Sequence, residues 1–305
     1  MSRAMKIWLI IAASLVLTGC MIFGGLMAVL NWDFMKLSTN EYETNEYQIS
    51  DEFKSIVIRS DTARIELAAS ENDESSVVCY ELTNAKHSVS VKDGALVIEI
   101  VDTRKWYEHI GINFSVPAVT VYIPEGEYGD LDISVSTGDV DIPKKFGFEN
   151  IDVTATTGRV RCKATAKQDV NITATTGDIY ASGVSAASLR FTATTGKIAL
   201  NGINAEEDLS VSVSTGKAIV EGVNCKNFRS DGDTGKLYLG YLKAEEKITV
   251  KRSTGDVTFE ACDAAEISVR TDTGDVEGTL RSDKVFIVRT DTGDVDVPRT
   301  TSGGR

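Results

Sequence analysis

The chain has 305 residues, is 42% hydrophobic but only 7% aromatic, and carries 45 acidic against 32 basic residues, a formal net charge of −13. That balance argues against nucleic acid, whose phosphates need clustered Lys and Arg. It also argues against direct docking on anionic lipid or wall polymer without a bridging divalent cation. Any core must be aliphatic, and 25 Gly against 4 Pro suit many tight corners and few linkers.

The first element is an anchor. Ile7 to Leu30 contains no charge, and as a helix it spans about 36 Å, enough to cross a ~30 Å hydrocarbon layer with some tilt. Arg3 and Lys6 precede it and Asp33 follows. The positive-inside rule therefore predicts a single-pass cell-membrane protein with its C-terminal body outside the cytoplasm. A second reading stays open at the same segment: Leu17-Thr18-Gly19-Cys20 resembles the lipobox of bacterial lipoprotein signal peptides, with Cys20 as the lipidated residue. Met21 to Leu30 stays apolar where a lipoprotein would begin a polar tether, which favours an uncleaved anchor over residues 1–35. Residues 36–52, polar and acidic, read as a linker. Cys20, Cys79, Cys162, Cys225 and Cys262 show no metal-ligand spacing; they read as buried small apolar residues, with one disulfide as the alternative.

A repeat organises the rest. Thr-Gly recurs with its Gly at 138, 158, 177, 196, 216, 235, 255, 274 and 293, always 19 or 20 residues apart. With Gly as position 0, position −7 is always apolar, from Leu131 to Phe286. Position −5 is apolar in all but one repeat, where Ser230 stands, and +2 is apolar throughout. Alternation over −7, −5, −3 and −1 predicts a strand with one buried face. It resumes at +2 and +4 with shifted parity, so the chain must bend at the Gly to keep its apolar face inward. A second corner near +6 to +8, often Gly-apolar as in Gly183-Val184, returns the chain. The fold class is therefore all-β: a right-handed parallel β-solenoid of about ten 19–20-residue coils behind an N-terminal transmembrane helix. On this reading Thr at −1 points inward and stacks as a ladder. The small −3 column is broken by Arg252, Thr271 and Thr290.

The pattern begins before the first Thr-Gly. In "SIVIRSDTARIEL", Ile56, Ile58, Thr62, Ile65 and Leu67 fall at −7, −5, −1, +2 and +4, with Ala63 in the Gly column. This predicts a degenerate opening coil. An excursion follows, with strands near 76–82, 87–92 and 95–101, an Asp93-Gly94 hairpin turn, and "AVTVYIP" leading back. Residues 53–127 thus form the opening coil and a β-rich cap, 128–298 the nine-coil body and 299–305 a tail.

Repeated "STGDV" and "TTGDI" segments behind one hydrophobic anchor and a linker resemble a family of bacterial putative adhesins that includes LiaG-like membrane-anchored envelope proteins. The resemblance covers nearly the whole chain and implies an extracytoplasmic β-solenoid of the bacterial envelope. It supplies no catalytic residues.

Motifs for chemistry are sparse. His87 and His109 sit in no motif with a nucleophile and read as polar surface residues, and the sequence has no phosphate-binding Gly loop and no H-E-x-x-H. Trp106-Tyr107-Glu108-His109 could stack on a sugar or be buried in the cap. Position +1 is the charged column: Asp139, Arg159, Asp178, Lys197, Lys217, Lys236, Asp256, Asp275 and Asp294. In "RTDTGDV", which occurs at 270–276 and again at 289–295, Asp272, Asp275, Asp291 and Asp294 gather at two stacked corners. They form a candidate metal site for Ca²⁺, against the plainer reading that Asp beside Gly is turn chemistry. Two functions are expected from this. The first is a non-catalytic module that binds a cell-envelope protein or polysaccharide or senses the envelope. The alternative is a polysaccharide-acting β-helix enzyme, which would need loops to wall a cleft, and no insertion interrupts the coils from 128 to 298.

Overall fold

The computed structural model of the chain describes residues 2–33, 36, 40–105, 115–281 and 285–297. Helix α1 spans Arg3–Val29, capped where the Met5 N–H donates to Ser2 Oγ at 3.3 Å. Its stretch Met5–Val29 is long and apolar enough to cross a membrane, and its apolar window is not buried in protein. A membrane anchor and a signal sequence both meet that description.

The body is a β-solenoid, as the repeat predicts. The first Thr-Gly coil has a long strand, a second strand after the Gly and a short third side: Asp130–Thr137, Val140–Ile142 and Phe146–Phe148. Successive coils pair parallel and in register, so that Leu131 faces Ile151, Ile151 faces Val170 and Val170 faces Leu189. Equivalent side chains therefore stack into continuous aliphatic columns, and these form one core running the length of the solenoid.

The Gly corner has a specific cause. All nine Gly have φ between 133° and 151°, a region in which side chains are strained. A Cβ on Gly196 would lie 1.9 Å from the carbonyl oxygen of Gly177, the same corner one coil earlier, and the other eight repeat that collision. The N–H groups at the corner run on to the next coil, as in Gly138 N to Thr157 O at 2.9 Å. Ala63 fills the Gly column of the opening coil with negative φ. The second corner also needs positive φ: Gly183, Gly202 and Gly222 sit at 62–66°, while Tyr241 at 52° and Ala261 at 49° hold the equivalent place without being glycine.

One expectation is corrected. Thr at −1 does not point inward; Thr137, Thr157 and Thr176 are exposed, as is the residue before each. The burial pattern of a long strand ends with two exposed residues after −3. The bend therefore begins before the Gly, and the parity change seen in sequence is spread over −2 to +1.

The cap is built by fold-back. Strands β1 (Tyr42–Ile49), β2 (Ser55–Thr62), β3 (Arg64–Ala69), β4 (Ser75–Leu82), β5 (Ala85–Lys92), β6 (Ala95–Asp102) and β7 (Ala118–Ile123) close the N-terminal end. β2 and β3 form the opening coil, pairing parallel with the first Thr-Gly coil. β6 and β7 lie parallel on the other side of β2 and β3. Antiparallel β5 then covers β6, and antiparallel β4 covers β7. The Asp93-Gly94 turn joins β5 to β6 with both residues at positive φ, 51° and 75°. Residues read as linker also contribute, because β1 pairs antiparallel with β4. Its alternating Tyr47 and Ile49 pack on the core.

Candidate functional site

The charged corner column is first of all structural. Asp139 Oδ1 accepts the N–H of Arg159 at 2.8 Å, Asp178 Oδ1 that of Lys197 at 2.9 Å, and Asp275 Oδ1 that of Asp294 at 2.8 Å. Each carboxylate thus receives a backbone donor from the next coil. The sign alternates over the first four coils, and where the run of Lys197, Lys217 and Lys236 meets the run of Asp, Lys236 Nζ lies 3.0 Å from Asp256 Oδ2. That ammonium, followed by the Asp275 N–H, holds the Asp256 carboxyl below its ordinary range.

The doubled heptad has the same logic. Asp272 and Asp291 lie 3.7 and 3.4 Å from the guanidinium Nε of Arg270 and Arg289, two residues earlier on the same strands. Thr290 Oγ1 donates to the carbonyl of Gly274 at 3.1 Å, and Thr271 turns its hydroxyl towards Gly255 O in the same way. Asp272, Asp275, Asp291 and Asp294 lie on adjacent coils. No three of them bring ligand atoms within 4.8 Å of one another.

The irregular residues of the middle columns prove to be one feature. Arg252 is 3% exposed inside the core, stacked in register on Gly232. A Cβ at Gly232 would collide with its guanidinium. Arg252 Nη2 donates to Ser230 Oγ at 2.9 Å, while Nε has no hydrogen-bond partner. Burial pushes the guanidinium pKa down, and Asp231 and Asp233 oppose that shift.

On the outer face a groove of about 940 Å³ crosses the third to seventh Thr-Gly coils. Its charges balance, with Asp169, Asp208 and Asp231 against Arg190, Arg229 and Lys247, and between them stand short hydroxyl and amide side chains such as Asn171, Ser210 and Thr249. Asp208 accepts from Asn227 Nδ2 at 3.0 Å, Arg229 Nε donates to Asp231 at 2.6 Å, and Lys247 pairs with Glu266 at 2.8 Å. Arg190 is exposed and has no hydrogen-bond or ion-pair partner among the described residues.

The cap holds a cluster that sequence reasoning missed, and it corrects the surface reading of His87, which is buried. Ser60, Glu81 and His87 are buried polar residues. His87 Nε2 lies 3.0 Å from Ser60 Oγ, and Nδ1 lies 2.7 Å from Glu81 Oε2. The same Oε2 accepts the His87 backbone N–H at 2.6 Å, and Asn45 Nδ2 donates to Oε1 at 2.9 Å. Buried Cys79 shares the inward face of β4 with Glu81. Burial, with a smaller contribution from Glu81, pushes its thiol up to about 12. Glu81 and His87 line a cleft of about 370 Å³. A signal was present in "VVCYEL", where Val77, Cys79 and Glu81 share one parity and so put a carboxylate on an apolar face. His109 and the Trp106-Tyr107 stretch lie outside the described residues. Cys79, Cys162, Cys225 and Cys262 are buried free thiols, whereas Cys20 is exposed.

Comparison with known proteins agrees with this architecture. The family model described as Toastrack DUF4097 matches residues 53–301. Among solved structures, a putative adhesin from Parabacteroides merdae superposes with TM-score 0.54 at 13% identity, over 79% of this chain and 97% of its own. A putative adhesin from Parabacteroides distasonis gives TM-score 0.51 at 13% identity, over 79% of this chain and 98% of its own. At that identity the likeness shows the fold. No curated protein matches the chain in sequence.

Proposed function

The chain belongs to the Toastrack DUF4097 family, and on that premise we propose that it is a non-catalytic, membrane-anchored binding module of the bacterial envelope. Its helix is retained as a single-pass anchor, its body stands outside the cytoplasm, and its ligand is a hydroxyl-rich envelope polymer. The supporting observation is the outer groove. In a chain of net charge −13 it is locally neutral, which suits a neutral polysaccharide better than a polyanion or a basic protein. Repeated short polar side chains at strand spacing offer donors and acceptors in rows, and Arg190 is free to donate to ligand oxygens. The adhesin names of the structural neighbours accord with such a role. The enzymatic alternative is less well served, because Asp208 and Asp231 already accept from Asn227 and Arg229 and the groove has no loop walls.

The test is retention of the detergent-solubilised full chain on immobilised envelope polysaccharides, with turnover followed on the same panel. Wild-type protein is expected to be retained without releasing product, and Arg190→Glu to be retained at least ~10-fold less, the scale of one charge-assisted contact. Equal retention of the two proteins, or product release, would overturn the reading. Protease added to intact protoplasts is expected to degrade the body, and a diacylglyceryl group on Cys20 would replace the anchor by a lipid.

A further inference from the structure

The cap cluster has the composition and geometry of a metal centre. Cys79, Glu81 and His87 each offer one donor atom within 4.8 Å of the other two, and all three residues are buried. We propose that these three residues bind a single Zn²⁺ ion, through Cys79 Sγ, a Glu81 carboxylate oxygen and His87 Nδ1. This proposal is independent of polymer binding in the groove.

The donor set selects the metal. Sulfur, nitrogen and a single carboxylate suit Zn²⁺, whereas Ca²⁺ and Mg²⁺ require mainly oxygen. The choice of Nδ1 follows from position, since Nε2 faces Ser60 Oγ at 3.0 Å. With Nδ1 on the metal, Nε2–H donates to Ser60, the arrangement that fixes the ring orientation of metal-bound histidines. Asn45, which donates to Glu81 Oε1, orients the carboxylate likewise. Thus both non-sulfur ligands already have outer partners. Zinc would take the place of the contact between His87 Nδ1 and Glu81 Oε2, and Cys79 would bind as its thiolate and give up the thiol proton.

The placement also argues for a ligand. Ser60 stands at −3 of the opening coil, where the next coils use Val135, Ala155 and Ala174. An apolar residue would close the core there without burying polar groups at a cost. Three protein ligands leave a fourth position, and the cleft of about 370 Å³ lined by Glu81 and His87 gives it room and an entry path. One ion would tie β4 to β5 and, through Ser60, to the opening coil.

Full-length protein in detergent, carrying Cys20→Ser to remove the exposed thiol, is stripped with chelator and dialysed against Zn²⁺. One equivalent is expected to remain by mass spectrometry of the metal, with a rise in the unfolding midpoint. Co²⁺ in its place is expected to give a near-ultraviolet thiolate charge-transfer band that Cys79→Ser abolishes. Asn45→Ala, which touches no metal, is expected to weaken zinc about 10–100-fold, the usual effect of removing an outer partner. Folded protein that retains no zinc would overturn the site. So would Co²⁺ bound to the unsubstituted cluster without the thiolate band, a readout that does not depend on the variants folding.

Discussion

In the nine Thr-Gly coils a side chain's role follows from its column, whereas in the cap, residues 42–123, it follows from what faces it across a fold-back. The body repeats one backbone event, a corner so close to its predecessor that only Gly fits. The opening coil stacks on β6 and β7, whose connection carries no Thr-Gly corner, and there Ala63 takes the Gly column at negative φ. Glycine is thus required by stacking and not by the turn alone. The cap gains its order from specific side-chain contacts instead, gathering a buried Ser, Glu and His where the body has Val and Ala.

The sharpest way to break this comparison is a matched pair at the corner. Gly196→Val must hold a β-branched residue at φ 147° with its Cβ against Gly177 O, and is expected to cost about 4 kcal/mol or more. Ala63→Gly is expected to cost only about 0.5–1 kcal/mol, through chain entropy. Urea unfolding midpoints of the two variants read the difference. Similar losses would show that the corner is not governed by contact with the preceding coil.

Next in size is the buried guanidinium. Arg252 brings a charge into an otherwise uncharged column with one donor nitrogen unpaired. Replacing a buried ionic feature by apolar groups of similar volume is commonly neutral or stabilising. Arg252→Met combined with Ser230→Ala is therefore expected to raise stability by about 1–2 kcal/mol, read by the same urea titration. A loss would mean that the Arg252–Ser230 contact and the Asp231 and Asp233 charges repay the burial.

These cases also show what a repeat does and does not reveal before a structure. Columns are legible because each residue's neighbours along the axis are its own homologues one period away, so Leu131, Ile151 and Val170 announce their contacts by spacing. The exact place of the bend is not legible: alternation shows that parity changes between −3 and +2, and Thr137 could satisfy it facing either way. Ser230 and Arg252 stand out singly, but their bond spans 22 residues and needs the register of adjacent coils. The cap cluster draws Asn45, Ser60, Glu81 and His87 from four strands, three of them joined by antiparallel pairing, and no single spacing links them.

A smaller effect is expected at the second corner. Ala261 holds φ 49° where Gly183, Gly202 and Gly222 stand in other coils. Left-handed backbone costs an alanine about 1–2 kcal/mol, partly offset by the extra entropy glycine loses on folding. Ala261→Gly is thus expected to stabilise by about 0.5 kcal/mol. Gly202→Ala should destabilise by a similar amount, since little crowds its Cβ. A shift of the opposite sign in either variant's unfolding midpoint would separate the two corners from a shared rule.

The smallest expected effect concerns the doubled heptad. If Asp272, Asp275, Asp291 and Asp294 form a calcium site, millimolar Ca²⁺ raises the unfolding midpoint and Asp275→Asn with Asp294→Asn removes the rise. The contacts of these residues favour another use. Asp275 Oδ1 accepts the Asp294 N–H, and Asp272 and Asp291 face Arg270 and Arg289. An amide oxygen can still accept that N–H, so the double variant should lose less than about 1 kcal/mol with or without calcium. The expected titration is flat, with both proteins unfolding at midpoints that Ca²⁺ does not move. A calcium-dependent rise confined to the wild type would instead assign the four carboxylates a ligand, and would make the C-terminal coils, like the cap, depend on a bound ion.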